Sequence, residues 1–170
     1  GKAGAAIMAA KAVLRSGAGL LTVHTAKNCV APLQSAFPEA MVIPDTNEEF
    51  VSDIHVPEKY DAVGIGPGIG TSKETASVVK VLIQNFGGAM VMDADALNIL
   101  ADNKTWLAFL KPGTIITPHP KEFDRLFGAH TSDFSRLETA REQAAKLNLI
   151  IILKGAHTAV IPPSGKVYFN

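Results

Sequence analysis

The chain has 170 residues, 47% of them hydrophobic, and its 16 basic residues balance its 16 acidic ones. This length fits one domain with a sizeable core, and the balanced charge provides neither a basic face for nucleic acid nor a polybasic membrane anchor. We therefore expect a single globular domain, residues 1–170, that has no nucleic-acid or membrane partner.

Two further features fit a cytoplasmic location, which we predict. Cys29 is the only cysteine, so it forms no internal disulfide, and we expect it to fill the core. The longest purely aliphatic run, Leu149 to Leu153, is far too short to span a bilayer.

Apolar runs alternate with helical patterns along the chain. Helices are predicted at Gly4 to Arg15, Ser72 to Asn85, Asp95 to Ala101, Lys121 to Phe127 and Ser132 to Leu147. Strands are predicted at Leu20 to His24, Ala40 to Ile43, Ala62 to Ile65, Ala89 to Met92, Thr114 to Thr117 and Ile150 to Leu153. Most strands are continuous apolar runs, typical of parallel strands covered on both faces, so the pattern predicts a doubly wound α/β sandwich. Thr158 to Ile161 and Lys166 to Phe169, joined through PPSG, predict a β-hairpin at one edge.

The strand that ends at Ile65 continues into the bare loop GPGIG, residues 66–70. In open α/β sheets, ligands bind beyond the carboxyl ends of the strands. Glycine permits close backbone approach and positive φ, and the helix that follows offers free N–H groups to an anion. A tight turn without a ligand is the alternative, because the spacing misses the dinucleotide fingerprint and the chain has no GxxxxGK[ST] motif.

Three other strand ends carry polar residues. In DADALN, Asp93 is a candidate to hold a hydroxyl or a metal-bound water, whereas we expect Asp95 to be a helix N-cap. In TPHPKEF, His119 lies between two prolines and is a candidate substrate ligand or a surface loop histidine. In LKGAHT, the alternatives for Lys154 are a phosphate contact and a solvated side chain. Together with the glycine loop, these make four polar or glycine-rich strand ends on one side of the sheet, which favours a single ligand pocket there.

Taken in order, GKAGAAIMAAKAVLRSGAGLLTV, GIGPGIG, DADALN, TPHPKEF and LKGAHT resemble the ADP/ATP-dependent NAD(P)H-hydrate dehydratase family, in the ribokinase-like superfamily. The resemblance covers nearly the whole chain. It implies a lyase that repairs hydrated NADH or NADPH at the expense of a nucleotide. The resemblance favours ADP over ATP as this nucleotide, because bacterial members typically use ADP and convert it to AMP and phosphate. It also implies Mg²⁺ accompanying the nucleotide and assembly into a homo-oligomer.

The resemblance assigns roles residue by residue. It places two groups against the hydrated cofactor: the first comprises Ala5, Gly66 and Gly68, and the second His119, Pro120, Lys121, Glu122, Phe123, Asp124 and Arg125. It places the nucleotide against Lys154, Gly155, Ala156, His157 and Thr158, and Asp93 and Asn98 are further candidate site residues assigned to neither ligand. His157 and Lys121 depart from the pattern, since the family often has glycine at both positions. No residue shows the spacing of metal ligands, so none is assigned to a metal.

Family members begin with a strand before the segment that matches Gly1, and continue past the hairpin into a glycine-rich segment that ends in Gly-Asp. That aspartate is the expected general base. We therefore predict that residues 1–170 are a fragment without the first strand and without a catalytic residue, so that this chain alone is inactive. Two alternatives remain open. One is a small-molecule kinase of the same superfamily, acting on a vitamin precursor, and the other is a non-catalytic nucleotide-binding fragment.

Overall fold

The computed structural model describes residues 2–54 and 60–170, so the predicted loop position of Gly1 lies outside the described residues. The helices are α1 (Ala3–Arg15), α2 (Val30–Ala36), α3 (Lys73–Asn85), α4 (Asp95–Asp102), α5 (Pro120–Phe127) and α6 (Asp133–Leu147), with 3₁₀ turns at Lys27–Cys29 and Lys104–Phe109. The strands are β1 (Thr22–Thr25), β2 (Met41–Pro44), β3 (Ala62–Ile65), β4 (Ala89–Met92), β5 (Ile115–Ile116), β6 (Ile150–Leu153), β7 (Ala159–Ile161) and β8 (Tyr168–Phe169).

The strands form a mostly parallel α/β arrangement, as predicted. A six-stranded sheet has the order β3-β4-β5-β6-β7-β8, and β1 pairs with β2 in a separate two-stranded parallel sheet. Strands β3 to β6 are parallel, whereas β7 and β8 form the predicted antiparallel hairpin. The carboxyl ends of β3 to β6 therefore meet on one side of the sheet. We call these ends and the loops that follow them the rim.

The predicted helices and strands are present, most of them with ends shifted by a residue or two. Two of the shifts come from caps: Ser72 and Ser132 precede α3 and α6 and accept hydrogen bonds from backbone N–H groups inside them. Helix α2 was not predicted. It has 7 residues and carries Pro32 in its first turn, where proline is tolerated, so it is too short to show a helical period.

The main core lies between the six-stranded sheet and its helices. Leu97, Ile116, Phe123 and Ile151 are fully buried there. In β6, Ile151 and Leu153 are buried while the alternate residues are half-buried, so the two faces of the sheet are covered unequally. A smaller cluster joins α1, α2 and the two-stranded sheet and is made by Ala10, Leu33, Phe37 and Ala40.

The expectation that Cys29 fills the core is wrong. The residue is only half-buried, and its thiol lies 3.1 Å from the Asn28 side-chain oxygen. It ends a 3₁₀ turn that precedes α2, where the chain runs close to the surface. Among the described residues, no helix combines the length and the apolar character needed to cross a membrane.

Candidate functional site

The glycine loop after β3 is bare mainly because the protein's own backbone packs against it. Gly66, Gly68 and Gly70 have φ of 132°, 75° and 77°, which side chains rarely adopt. A Cβ atom on Gly66 would lie 1.7 Å from the carbonyl oxygen of Asp93, and one on Gly68 would lie 2.9 Å from that of Lys2. The loop therefore packs against both the end of β4 and the start of α1.

An ion pair crosses the middle of the rim. The ammonium of Lys154, after β6, donates to Oδ1 of Asp93, after β4, at 2.6 Å. The Lys154 amide donates to the Pro118 carbonyl after β5 at 2.9 Å, and the Asp93 amide donates to the Ile65 carbonyl at the end of β3 at 3.0 Å. The two side chains are 39% and 32% exposed, so a ligand at the rim can reach both.

The residue between the two aspartates adopts an unusual conformation. Ala94 has φ 49° and ψ −119°, a combination that costs a non-glycine residue roughly 1–3 kcal/mol. Ala94 is also the N-cap of α4, with no side-chain bond to the helix, so the expectation that Asp95 caps it is wrong. Asp95 is the first helical residue, and its Oδ2 accepts from the Gly70 amide and the Lys2 ammonium, both at 2.9 Å.

His119 caps its own helix. Its Nδ1 accepts the amides of Lys121 at 3.1 Å and Glu122 at 3.2 Å, and the Glu122 carboxylate accepts the His119 amide at 2.8 Å. This network assigns the ring proton to Nε2, which lies 3.3 Å from Glu122 Oε1. Pro120 supplies the first helical residue, where its missing N–H costs nothing. The side chain is 45% exposed, so part of the ring is accessible to a ligand.

Asp124 binds the neighbouring helix. Its carboxylate accepts from Nε and Nη2 of Arg136 at 2.9 and 3.1 Å, and lies 2.8 Å from Nδ1 of His130. The hydrogen bond from Arg136 lowers the pKa of Asp124, and the same contact raises the pKa of Arg136. This charged cluster fixes α5 to α6. Sequence reasoning missed it because its members are 6 and 12 residues apart along the chain.

The other predicted site residues fall into three groups. Phe123 is fully buried in the main core, with its ring tilted against that of Phe127 at a centroid distance of 4.8 Å, while Glu122 is buried at the α5 cap. Arg125 is exposed and donates to the Asn98 oxygen at 2.6 Å, so these two candidates are together between α5 and α4. The remaining residues are exposed or half-buried, namely Ala5, Lys121, Gly155, Ala156, His157 and Thr158.

The described residues provide no protein-held metal centre. Nowhere among residues 2–54 and 60–170 do three or more His, Cys, Asp or Glu side chains converge as metal ligands. Asp93 and Asp95 follow β4 at the rim, and each is paired with a lysine. We therefore assign no magnesium ligand among the residues that the structure describes.

Residues 1–170 match a family model described as NAD(P)H-hydrate dehydratase over their whole length. The chain belongs to this family. Within the NAD(P)H-hydrate dehydratase family, it is 36% identical to the bifunctional NAD(P)H-hydrate repair enzyme Nnr of Gloeobacter violaceus, over 98% of this chain and 33% of that protein. It is 32% identical to the ADP-dependent (S)-NAD(P)H-hydrate dehydratase of Bacillus subtilis, over 98% of this chain and 59% of that one.

Solved structures give the same family assignment. The Bacillus subtilis ADP/ATP-dependent NAD(P)H-hydrate dehydratase, co-crystallised with ATP/Mg²⁺ and soaked with CoA, superposes with a TM-score of 0.80 at 30% identity, over 99% of this chain and 61% of that one. A ribokinase-like superfamily protein from Enterococcus faecalis superposes with a TM-score of 0.79 at 28% identity, over 98% and 58%. The fold of this dehydratase-family chain is therefore ribokinase-like, and the chain spans about a third to three fifths of these relatives' lengths.

Proposed function

We propose that the protein serves as a nucleotide-dependent NAD(P)H-hydrate dehydratase, which removes water from hydrated NADH or NADPH and restores the reduced cofactor. ADP, converted to AMP and phosphate, is proposed ahead of ATP as the driving nucleotide. Membership of the family and the activity named for the Bacillus subtilis relative support this proposal. One observation carries it: the 2.6 Å pair between Lys154 and Asp93 links the proposed nucleotide segment to the glycine-loop side of the rim.

The chemistry explains why a dehydratase needs a nucleotide. A hydroxyl is a poor leaving group. Attack of the hydrate's hydroxyl oxygen on the terminal phosphorus of ADP breaks the phosphoanhydride bond, releases AMP and leaves a phosphate ester on the substrate, while the hydroxyl proton passes to a base. Loss of the phosphate, together with a proton from the adjacent ring carbon, then forms the double bond that restores the dihydropyridine. The Lys154 ammonium is a point charge suited to the phosphates during the first step.

The two ligands are assigned to opposite sides of the ion pair. The hydrated cofactor is proposed to lie against the glycine loop, the start of α1 and the accessible part of α5, with its contacts at Ala5, Gly66, Gly68, His119, Lys121, Arg125 and Asn98. Phosphates are proposed to meet Lys154 and the exposed backbone that follows it. Glu122, Phe123 and Asp124 then serve by shaping and holding α5, because their side chains are engaged with the protein.

The general base stays a prediction. By family resemblance it is the aspartate of a Gly-Asp segment, and we assign it to no residue of this chain. Reading the gene beyond the codon for Asn170 tests this, because a glycine-rich segment ending in Gly-Asp is expected there. A homo-oligomeric state, a cytoplasmic location and a need for Mg²⁺ likewise remain proposals.

The function is tested by turnover. The complete gene product and the 170-residue chain are each given hydrated NADH, Mg²⁺ and either ADP or ATP, and NADH formation is followed by absorbance. We expect NADH from the complete product. If the complete product forms no NADH with either nucleotide, the proposal is refuted. Accumulation of a stable phosphate ester of a hydroxylated heterocycle would support a kinase instead.

The role of Lys154 is tested in the same assay. Because Lys154→Ala removes a charge-assisted phosphate contact, it should raise the nucleotide KM about tenfold while the hydrate KM changes little. Lys166→Ala, which removes an exposed lysine beside the hairpin, is the matched control and should change neither. An unchanged nucleotide KM in Lys154→Ala would contradict the assignment.

A further inference from the structure

Three segments from distant parts of the chain meet at the carboxylate of Asp95. Its Oδ2 accepts from the amide of Gly70 and from the ammonium of Lys2, both at 2.9 Å. Asp95 begins α4, Gly70 ends the glycine loop, and Lys2 immediately precedes α1. The Asp95 side chain is only 14% exposed, whereas that of Lys2 is 61% exposed, so the bond to Gly70 is the better shielded from water.

These contacts hold the surface against which the hydrated cofactor is proposed to lie. A Cβ atom on Gly68 would lie 2.9 Å from the Lys2 carbonyl oxygen and 3.5 Å from the Ala5 Cβ, so the loop and the start of α1 already touch. Glycine-rich backbone has many accessible conformations, and fixing it costs entropy. A bond to Gly70 that fixes the loop before the ligand arrives removes part of this cost from binding.

We propose that Asp95 is a positioning residue for the hydrated cofactor, acting by holding the glycine loop against the start of α1. This proposal rests on the function proposed above. Asp95 does not touch the substrate in this scheme; it fixes Gly68 and Ala5 through their neighbours. The nucleotide side of the rim depends on a different pair, Lys154 and Asp93. Loss of Asp95 should therefore affect the hydrate and spare the nucleotide.

Three variants of the complete gene product test the proposal: Asp95→Ala, Asp95→Asn and the control Asp102→Asn, which removes a charge from an exposed residue at the other end of α4. Amide hydrogen exchange at Gly70 is measured by NMR without substrate, and the KM values for hydrate and nucleotide are measured separately. Asp95→Ala should make exchange of the Gly70 amide about tenfold faster and raise the hydrate KM about tenfold. The nucleotide KM should stay within about twofold of the value for the unmodified protein.

The conservative variant separates the hydrogen bond from the charge. Asp95→Asn keeps an oxygen that can accept the Gly70 amide, so the hydrate KM should rise only about threefold. Asp102→Asn should change neither exchange nor KM. Should Asp95→Ala fail to fold, Asp95→Asn carries the test with the same two readouts.

Two results would overturn the proposal. Unchanged Gly70 exchange in Asp95→Ala would show that the carboxylate does not hold the loop. Equal rises in both KM values would show a general loosening of the rim. Failure of the proposed function is seen separately, as absence of NADH formation by the unmodified protein. In that case the link to the hydrate is overturned as well, even where Gly70 exchange becomes faster.

Discussion

Replacing Asp45 with asparagine should cost the fold about 2 kcal/mol at neutral pH. The carboxylate follows β2 and is completely buried, and it accepts the amides of Asn47 and Ser52 at 2.8 Å each, the Ser52 hydroxyl at 2.6 Å and the Asp53 amide at 3.3 Å. Burial alone would raise the pKa of Asp45, but these hydrogen bonds outweigh it and lower the pKa from 3.8 to about 2. A difference of this size between the pKa of Asp45 in the folded chain and in the unfolded chain corresponds to about 2 kcal/mol of stability.

The sign of the pH dependence follows from the lowered pKa. The stabilisation by Asp45 is complete above the unfolded value of 3.8 and is lost as the pH falls through about 2. Urea unfolding of the wild type and Asp45→Asn is measured from neutral pH down to that value. The difference in free energy of unfolding should shrink by about 2 kcal/mol over the acidic part of this range. Glu49→Gln, at an exposed carboxylate of the same loop, is the control. A difference that stays constant with pH, or an equal loss in Glu49→Gln, would refute the reasoning.

Three further predictions concern the core and the rim, each checked by urea unfolding. Gly66→Ala should prevent stable folding because its Cβ would overlap the backbone after β4, whereas Gly64→Ala, with open space around it, should fold; equal stability would contradict this. Phe123→Ala should lower the free energy of unfolding by about 3–5 kcal/mol, and Phe134→Ala, at an exposed position, by less than about 0.5 kcal/mol. Similar losses in the two variants would count against the core assignment. Asp124→Asn should lower the free energy of unfolding by about 2 kcal/mol, because the largely buried guanidinium of Arg136 then keeps only the exposed Asp133 as a charge partner, and a loss below about 0.5 kcal/mol would disprove that role.

The sequence predicted the fold well where packing and local signals agree. In α6, Ala140 and Ala144 are fully buried on the face that the helical spacing selects, and Ser132 caps the helix. The continuous run at β6 pairs in parallel with β5, as expected, but one face of this strand is only half-buried rather than fully covered. The pattern failed for α2, whose 7 residues are held by tertiary contacts of Leu33 rather than by a long periodic face.

The sequence predicted where the motifs lie in the fold but not which contacts their side chains make. The motifs do meet at the rim, because parallel strands bring their carboxyl ends together. The partners of each side chain were beyond sequence reasoning: Asp95 binds residues 25 and 93 positions away. The local capping preference that was applied to Asp95 gave the wrong answer, because the chain turns through positive φ at Ala94 and makes that residue the cap instead.

This turn explains how DADALN serves both proposed ligands. Because Ala94 bends the chain sharply, the two flanking carboxylates reach different partners, Asp93 reaching Lys154 and Asp95 reaching Gly70 and Lys2. The first pair is about one third exposed on each side, so a phosphate can compete for its lysine. The Asp95 side chain is far better shielded and also holds a backbone amide. We therefore expect nucleotide binding to rearrange the charges on the Lys154 side of the rim, while the glycine-loop side stays as it is before any ligand arrives.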